Sequence, residues 1–287
     1  VSLTVIFNMI ARSSLKTTVY MKYIIYILLF FPIWVTAQTY KYIGIENGLS
    51  NRRIFNIQKD TQGYMWFLTN EGMDRYNGKD IKHYKLNKEA STLDAPVRLG
   101  WLYTGPQIGI WVIGKQGRVF RYEANEDDFR MVYKLPDISE TISCGYLDRN
   151  NNIWLCCKDS ILLYNINDAH ILQFSNILHS NITAIEQIDE QHFFIATELG
   201  VRYVKLENGI LETVPVKTLD YFHAQVSESY FHKQLKRLFI GSFERGVFVY
   251  DMNTQEIIRP EADLSDVNIA RISPLNETEL LIATEGM

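Results

Sequence analysis

The chain has 287 residues, 47% of them apolar and 22% charged, with a net charge of −4. These proportions allow a sizeable core and exclude wholesale disorder, and the lack of a basic excess argues against nucleic-acid binding. Tyr 17 and Phe 15 against Pro 7 favour strands over helices.

Residues 1–37 contain no Asp or Glu. Met21-Lys22 precedes the apolar run YIIYILLFFPIWV and then Thr36-Ala37-Gln38. A short basic start, an apolar stretch and small residues read as an export signal over 21–37, cut after Ala37. The run is short for a spanning helix and is broken by Pro32. Residues 1–20 read as an extension ahead of a true start at Met21. Export carries the remainder, 38–287, out of the cytoplasm. Its three cysteines, Cys144, Cys156 and Cys157, are odd in number and two are adjacent, so they make no disulfide framework and no zinc spacing. They are expected to be buried and free.

Beyond residue 38 the dominant feature is an internal repeat. Six segments align, opening on Trp66, Trp111, Trp154, Phe194, Phe239 and Leu281, and the first five close on Tyr76, Tyr122, Tyr164, Tyr203 and Tyr250. A second set of anchors, Ile54, Val97, Ile142, Ile182, Val226 and Ile269, keeps the same spacing of roughly 40 to 45 residues. Each period holds four short apolar stretches divided by turn signals. In the first, RIFNI, MWFLT, MDRY and IKHYKL are separated by Asp60-Thr61-Gln62-Gly63, Asn70-Glu71-Gly72 and Asn77-Gly78-Lys79. Gly72, Gly117, Gly200 and Gly246 fall at equivalent turns where positive φ is expected.

Four antiparallel strands per period describe a propeller blade, which buries its two apolar faces only by stacking on neighbours. The predicted fold is an all-β propeller of about six four-stranded blades near 50–86, 93–135, 139–174, 180–216 and 223–260, with a partial sixth from 267. The ring is expected to be incomplete, truncated at its carboxyl end, with 39–45 as an orphan fourth strand. The Trp/Phe anchors are expected on second strands between blades. The closing tyrosines are expected on third strands in the same layer. In the third blade a turn centred near Asn150 sets Cys144 opposite Cys156.

The stretch 46–84 closely resembles the two-component regulator propeller repeat. The matching residues are Gly48-Leu49-Ser50-Asn51, Ile54, Ile57, Asp60, Gly63, Trp66, Thr69, Gly72 and Tyr76-Asn77-Gly78. The resemblance implies the periplasmic sensor of a two-component histidine kinase that answers an oligosaccharide and controls polysaccharide use. It further implies a second propeller, an immunoglobulin-like domain, a membrane helix, a kinase and homodimerisation in the parent protein. No nucleic-acid partner is expected for this chain.

Chemistry-bearing motifs are sparse. There is no nucleotide loop, no HExxH and no nucleophile elbow, and the six histidines show no ligand spacing. No cofactor or metal is expected, and the chain is read as non-catalytic. Asp127-Asp128 and Asp148-Arg149-Asn150-Asn151-Asn152 read as polar turns, and Asp60 as the brace of its own turn. Ligand contacts are expected where blade-joining loops and second-to-third-strand turns share one mouth. The joining loops offer Arg52, Arg53, His179, Tyr221 and His223. The turns offer Asn70, Lys115, Lys158, Glu244 and Arg245. The alternatives are a secreted propeller glycosidase or lyase using Glu186, Glu228 or Asp266, and a non-catalytic scaffold.

Overall fold

The computed structural model describes residues 41–86, 99–136, 141–260, 264 and 267–285. The chain divides into two compact units, Val1–Tyr42 and Ile43–Met287, and every described strand belongs to the second. The expected extension and export signal, with Val97 and Asp266, lie outside the described residues.

Blade 1 is built from β1 (Ile54–Lys59), β2 (Met65–Thr69), β3 (Gly72–Tyr76) and β4 (Ile81–Tyr84). Blade 2 has β5 (Leu99–Gly105), β6 (Gly109–Gly114), β7 (Arg118–Glu123) and β8 (Asp128–Lys134). Blade 3 has β9 (Cys144–Leu147), β10 (Asn152–Cys156), β11 (Ser160–Asn165) and β12 (Ile171–Ser175). Blade 4 has β13 (Ile182–Gln187), β14 (His192–Thr197), β15 (Gly200–Glu207) and β16 (Ile210–Thr213). A one-turn helix, α1 (Lys217–Asp220), leads to blade 5 with β17 (Val226–His232), β18 (Arg237–Ser242), β19 (Gly246–Asp251) and β20 (Glu256–Ile258). The sixth sheet pairs β21 (Asn268–Pro274) with β22 (Leu280–Glu285).

The first five sheets are antiparallel meanders in chain order. Their first strands, with β21, are neighbours in the series β1, β5, β9, β13, β17, β21. That series forms the inner wall, and the fourth strands lie outermost, as in a propeller. A bulge recurs near the start of this inner strand, between Ile54 and Asn56, Leu99 and Trp101, Ile182 and Ala184, Val226 and Glu228, and Ile269 and Arg271. Three of the second-set anchors, Ile54, Ile182 and Val226, open the first strand, where the bulge bends it.

All six first-set anchors stand on second strands, and each of the first five packs toward the following blade. Trp66 lies with Leu102, Val112 and Phe120 of blade 2, and Trp111 with Ile153 and Leu155 of blade 3. Trp154 meets Phe193 and Ile195 of blade 4, Phe194 meets Phe231 and Leu238 of blade 5, and Phe239 meets Ile272 and Leu280 of the sixth sheet. Leu281 is 60% exposed, with no described blade beyond it.

The closing tyrosines obey a different rule from the one expected. Tyr122 packs on Trp66 at 5.0 Å, Tyr164 on Trp111 at 6.4 Å and Tyr250 on Phe194 at 5.8 Å between ring centroids. Each therefore reaches back to the preceding blade rather than sharing its own anchor's layer. The register explains this: Trp111 faces Arg121, so Tyr122, one residue on, points to the opposite face. Tyr203 is the exception, because it pairs directly with its own anchor, Phe194.

Residues 41–45 form no strand. Ile45–Asn47 is instead a single 3₁₀ turn closed by Gly48 at φ 106, and Asn47 Oδ1 accepts from the Gly44 amide at 2.9 Å. The turn lets Ile43 join Leu49, Phe67 and Tyr76 on the open face of blade 1.

Gly72, Gly117, Gly200 and Gly246 all take positive φ. At Gly200 (φ +141) a Cβ would lie 2.3 Å from the Phe222 carbonyl oxygen, whereas nothing lies within 4 Å of the corresponding position at Gly63. Gly200→Ala is expected to cost about 2 kcal/mol or more, against about 1 kcal/mol for Gly63→Ala. Urea denaturation of the two variants checks this. Equal losses would mean that the close approach of the loop carries no weight.

Candidate functional site

At one end of the blades, the described loops entering blades 1, 3, 4 and 5 and the sixth sheet are bonded to second-to-third-strand hairpins. Ser50 donates through its amide (2.8 Å) and hydroxyl (2.9 Å) to Asp74 Oδ2, and its hydroxyl lies 2.9 Å from that of Thr69. The Ile142 amide donates to the Lys115 carbonyl at 2.7 Å. Asn176 Nδ2 donates to the carbonyls of Lys158 and Ser180, both at 2.9 Å. Glu244 donates its amide to Asn268 Oδ1 at 2.7 Å, and Arg245 Nη1 donates to the His223 carbonyl at 2.6 Å. These bonds satisfy loop backbone that no sheet ladder serves. They gather the two classes of loop into one mouth.

All ten residues expected to contact ligand stand at this mouth. Arg52, Arg53, Asn70, Lys115, Lys158, His179, Tyr221, His223, Glu244 and Arg245 are exposed. Of these the structure brings His223 and Arg245 into direct contact. Tyr221, at the end of α1, is 75% exposed. The Arg53 guanidinium lies over the Phe55 ring at 5.2 Å. Asn70, Lys115, Lys158 and His179 stand apart, on blades 1, 2 and 3 and the loop after blade 3.

The inner wall carries a belt of polar side chains that cross from blade to blade. Tyr103 donates to the Gly145 carbonyl at 2.8 Å, and Tyr146 accepts from the Gln187 amide at 3.3 Å. Glu186 accepts from the Phe231 amide at 3.1 Å. Glu228 accepts from Arg271 at 3.1 Å, and Ser227 donates to the Ile269 carbonyl at 2.5 Å. Sequence reasoning missed this belt. The signal available was the recurrence of polar or aromatic residues on first strands, one period apart.

Glu186 and Glu228 do lie on adjacent inner strands and repel one another, but they serve different blade interfaces. Burial pushes the Glu186 carboxyl up to about 8, against the Phe231 amide bond, with Glu228 adding to the rise and Arg271 and Arg149 opposing it. Burial also raises Glu228, which Arg271 partly offsets. Both carboxylates are thus committed to holding blades together.

The remaining candidate clusters are structural. Asp74 is fully buried, and its carboxylate sits between Ser50 and His83 Nδ1, the latter at 2.7 Å. A nucleophile relay needs the histidine in the middle, so this order does not activate Ser50. Asp60 accepts from the amides of Gln62 and Tyr64, both at 2.9 Å, and from the Trp66 indole at 2.7 Å. Asp148 repeats the pattern on Asn150 (2.9 Å), Asn152 (2.8 Å) and the Trp154 indole (2.8 Å). Asn151, at φ 65, takes the left-handed place of Gly63, at φ 91.

Asp127 and Asp128 are not a working pair, since Asp128 begins β8. Asp127 instead collects Arg75 (2.9 Å), Tyr84 (2.8 Å), Tyr122 (2.5 Å) and Lys82 (2.5 Å), tying blade 1 to blade 2. The Lys82 and Tyr122 hydrogen bonds hold its carboxyl well below the usual range. Cys144 and Cys156 face each other across β9 and β10, as the spacing required, and all three cysteines are buried. Among the described residues no group of three or more His, Cys, Asp or Glu could hold a metal. No described helix is long and apolar enough to cross a membrane.

Residues 48–71 match the family described as two component regulator propeller, the resemblance read from the sequence. No curated protein matches the chain. Among solved structures, the chain is similar to the extracellular domain of a hybrid two component system from B. thetaiotaomicron. The two share 21% identity with a TM-score of 0.66, over 85% of this chain and 34% of that one. A second such domain from the same organism matches at 17% identity and TM-score 0.62, over 85% and 32%. A streptogramin B lyase matches at 16% and 0.60, over 82% and 77%. At these identities the likeness is one of fold. The chain spans about a third of the length of the two sensor domains.

Proposed function

We propose that this chain, which carries a two-component regulator propeller repeat, is the ligand-sensing propeller of a two-component sensor, working outside the inner membrane. The observation that carries this reading is the repeat at 48–71, set in a fold shared with the extracellular domains of two hybrid two component systems. The ligand is an oligosaccharide, and the response is the control of polysaccharide use. Export by the signal over 21–37 delivers residues 38–287 to the periplasm. The parent protein is a homodimeric histidine kinase anchored in the inner membrane, with a second propeller and an immunoglobulin-like domain.

The mouth is the ligand face. Its exposed Tyr221 offers a ring for sugar stacking, and its arginines and histidines supply directed donors. The bonded loops form a rigid frame, so ligand binding shifts the arrangement of the parent dimer rather than reshaping a blade. The chain itself is non-catalytic. Alanine at Arg52, Arg53 and Arg245 together should weaken glycan binding by the full-length sensor about tenfold or more. Unchanged affinity in calorimetry would remove these residues from the site.

A second reading, a propeller hydrolase or lyase, draws on one observation: the raised Glu186 lies near Glu228, as an acid and its partner carboxylate would. Their cross-blade bonds weigh against it. Turnover of model glycosides by this chain, abolished in Glu186→Gln, would favour that reading over the sensor.

A further inference from the structure

Four arginines of the described fold are spent on acids: Arg75 on Asp127, Arg121 on Glu123, Arg237 on Asp251 and Arg271 on Glu228. Two exposed arginines at the mouth of blade 5 are placed differently. Arg245 sits in the turn between β18 and β19, and Arg259 follows β20. Their guanidinium carbons lie over the same ring, Phe248, at 5.3 and 4.7 Å from its centroid. Phe248 is itself buried and braced edge-on by Phe222 at 5.1 Å.

The two cations are also pinned to backbone. Arg245 Nη1 donates to the His223 carbonyl at 2.6 Å, and Arg259 Nη2 donates to the Arg245 carbonyl at 3.4 Å. Each guanidinium has five N–H donors, so most of both forks remain unspent. Among the described residues neither forms an ion pair with a carboxylate. Two like charges gathered on one ring repel, and an anion reached by both forks would relieve that cost. The planar forks match the two oxygens of a carboxylate or sulfate better than an ammonium would. Exposed Tyr221 stands two residues from His223, and Leu199 and Phe243 add exposed apolar surface at the same end.

We propose that Arg245 and Arg259, fixed over Phe248, form an anion subsite of the mouth that takes a carboxylate or sulfate group carried on a sugar. This deepens the sensor reading and rests on its assignment of the mouth as the ligand face. The subsite selects acidic over neutral oligosaccharides.

The test is calorimetry on the complete chain with three probes: trigalacturonate for a carboxylate, inorganic sulfate for a sulfate, and neutral cellotriose. At least one anion should bind, and added salt should weaken it. Arg259→Ala should lower that affinity about tenfold or more, and Arg259→Lys should recover only part of it. Arg121→Ala, at a paired arginine elsewhere, should change nothing. Arg259 is exposed, so its variants should melt as the parent does. Arg245→Ala should act in the same direction through loss of the second fork. Preference between trigalacturonate and sulfate tells which anion the sugar bears. Anion binding that survives both alanine variants overturns the subsite, as does failure of both anions to bind. If cellotriose binds while both anions fail, the subsite falls and the glycan-sensing reading stands. If no probe binds, the subsite falls and the glycan reading loses support with it.

Discussion

Trp154→Ala should destabilise the chain by about 3–5 kcal/mol, while Leu281→Ala, at the same place in the repeat, should cost under about 0.5 kcal/mol. Trp154 is fully buried, its ring lies 4.9 Å from Phe193 of the next blade, and its indole N–H is held by Asp148. Truncation therefore opens a large cavity between two sheets and strands a buried carboxylate that has lost a donor. Leu281 meets mostly solvent, being 60% exposed. Urea denaturation of the complete chain measures both. Similar losses at the two sites would show that the layers between blades are not where the fold's stability resides.

The second large effect is a pH dependence centred on Glu186. Its folded carboxyl titrates near 8, above the ordinary 4.5. Between those values the folded chain keeps a proton that the unfolded chain has released. Stability therefore falls as pH rises across that window. The full shift corresponds to at most about 5 kcal/mol, at 1.4 kcal/mol per unit. Glu186→Gln keeps the shape and the carbonyl acceptor for Phe231 but cannot ionise. It should match the parent at pH 5 and exceed it by several kcal/mol at pH 8.5. Parallel stability curves for the two proteins between pH 5 and 8.5 would contradict the assignment. Asp127 acts in the opposite sense: its depressed carboxyl contributes stability at neutral pH that is lost on acidification. For this reason the difference between the parent and Glu186→Gln is the quantity to read.

The blade plan was legible because one constraint repeats. A large apolar residue must fill each inter-blade layer, so Trp66, Trp111, Trp154, Phe194 and Phe239 recur at the period and fall on second strands. The facing of Cys144 and Cys156 followed from hairpin symmetry alone. The layer of the closing tyrosines did not. It depends on a one-residue offset in pairing, which flips a side chain to the opposite face; Tyr122 and Tyr203 differ by that single step. The brace at Asp148 was hidden because the eye follows the glycine of Asp60-x-x-Gly63. The conserved physics is an acceptor six residues before a tryptophan, together with a residue tolerant of positive φ, which Asn151 supplies.

The mouth was legible as a set of loops, and its ten named residues do stand there. What sequence could not give is which of them meet. The contact of Arg245 with His223, and of Arg259 with both Arg245 and Phe248, joins residues up to 22 positions apart through the folding of blade 5. The inner belt was obscure for a related reason. Tyr103, Tyr146 and Glu186 hold the same step of the period, each opposite its blade's anchor, but differ in side-chain type, and Glu228 is offset from that step; only the stacking of first strands puts them on one wall. Residues 39–45 looked extended from their alternation of Tyr, Tyr and Ile. Gly44, Asn47 and Gly48 offered the backbone a local turn instead.

The account turns on an oligosaccharide binding at the mouth made by the blade-joining loops. Amide hydrogen exchange of the complete chain, with and without polysaccharide digests, tests it most directly. The expected result is ligand-dependent protection of residues 50–53, 178–180, 221–224 and 243–246, with the far-end turns at 61–64, 149–151 and 233–236 unchanged. Protection of the far-end turns instead, or no protection with any digest, would contradict it.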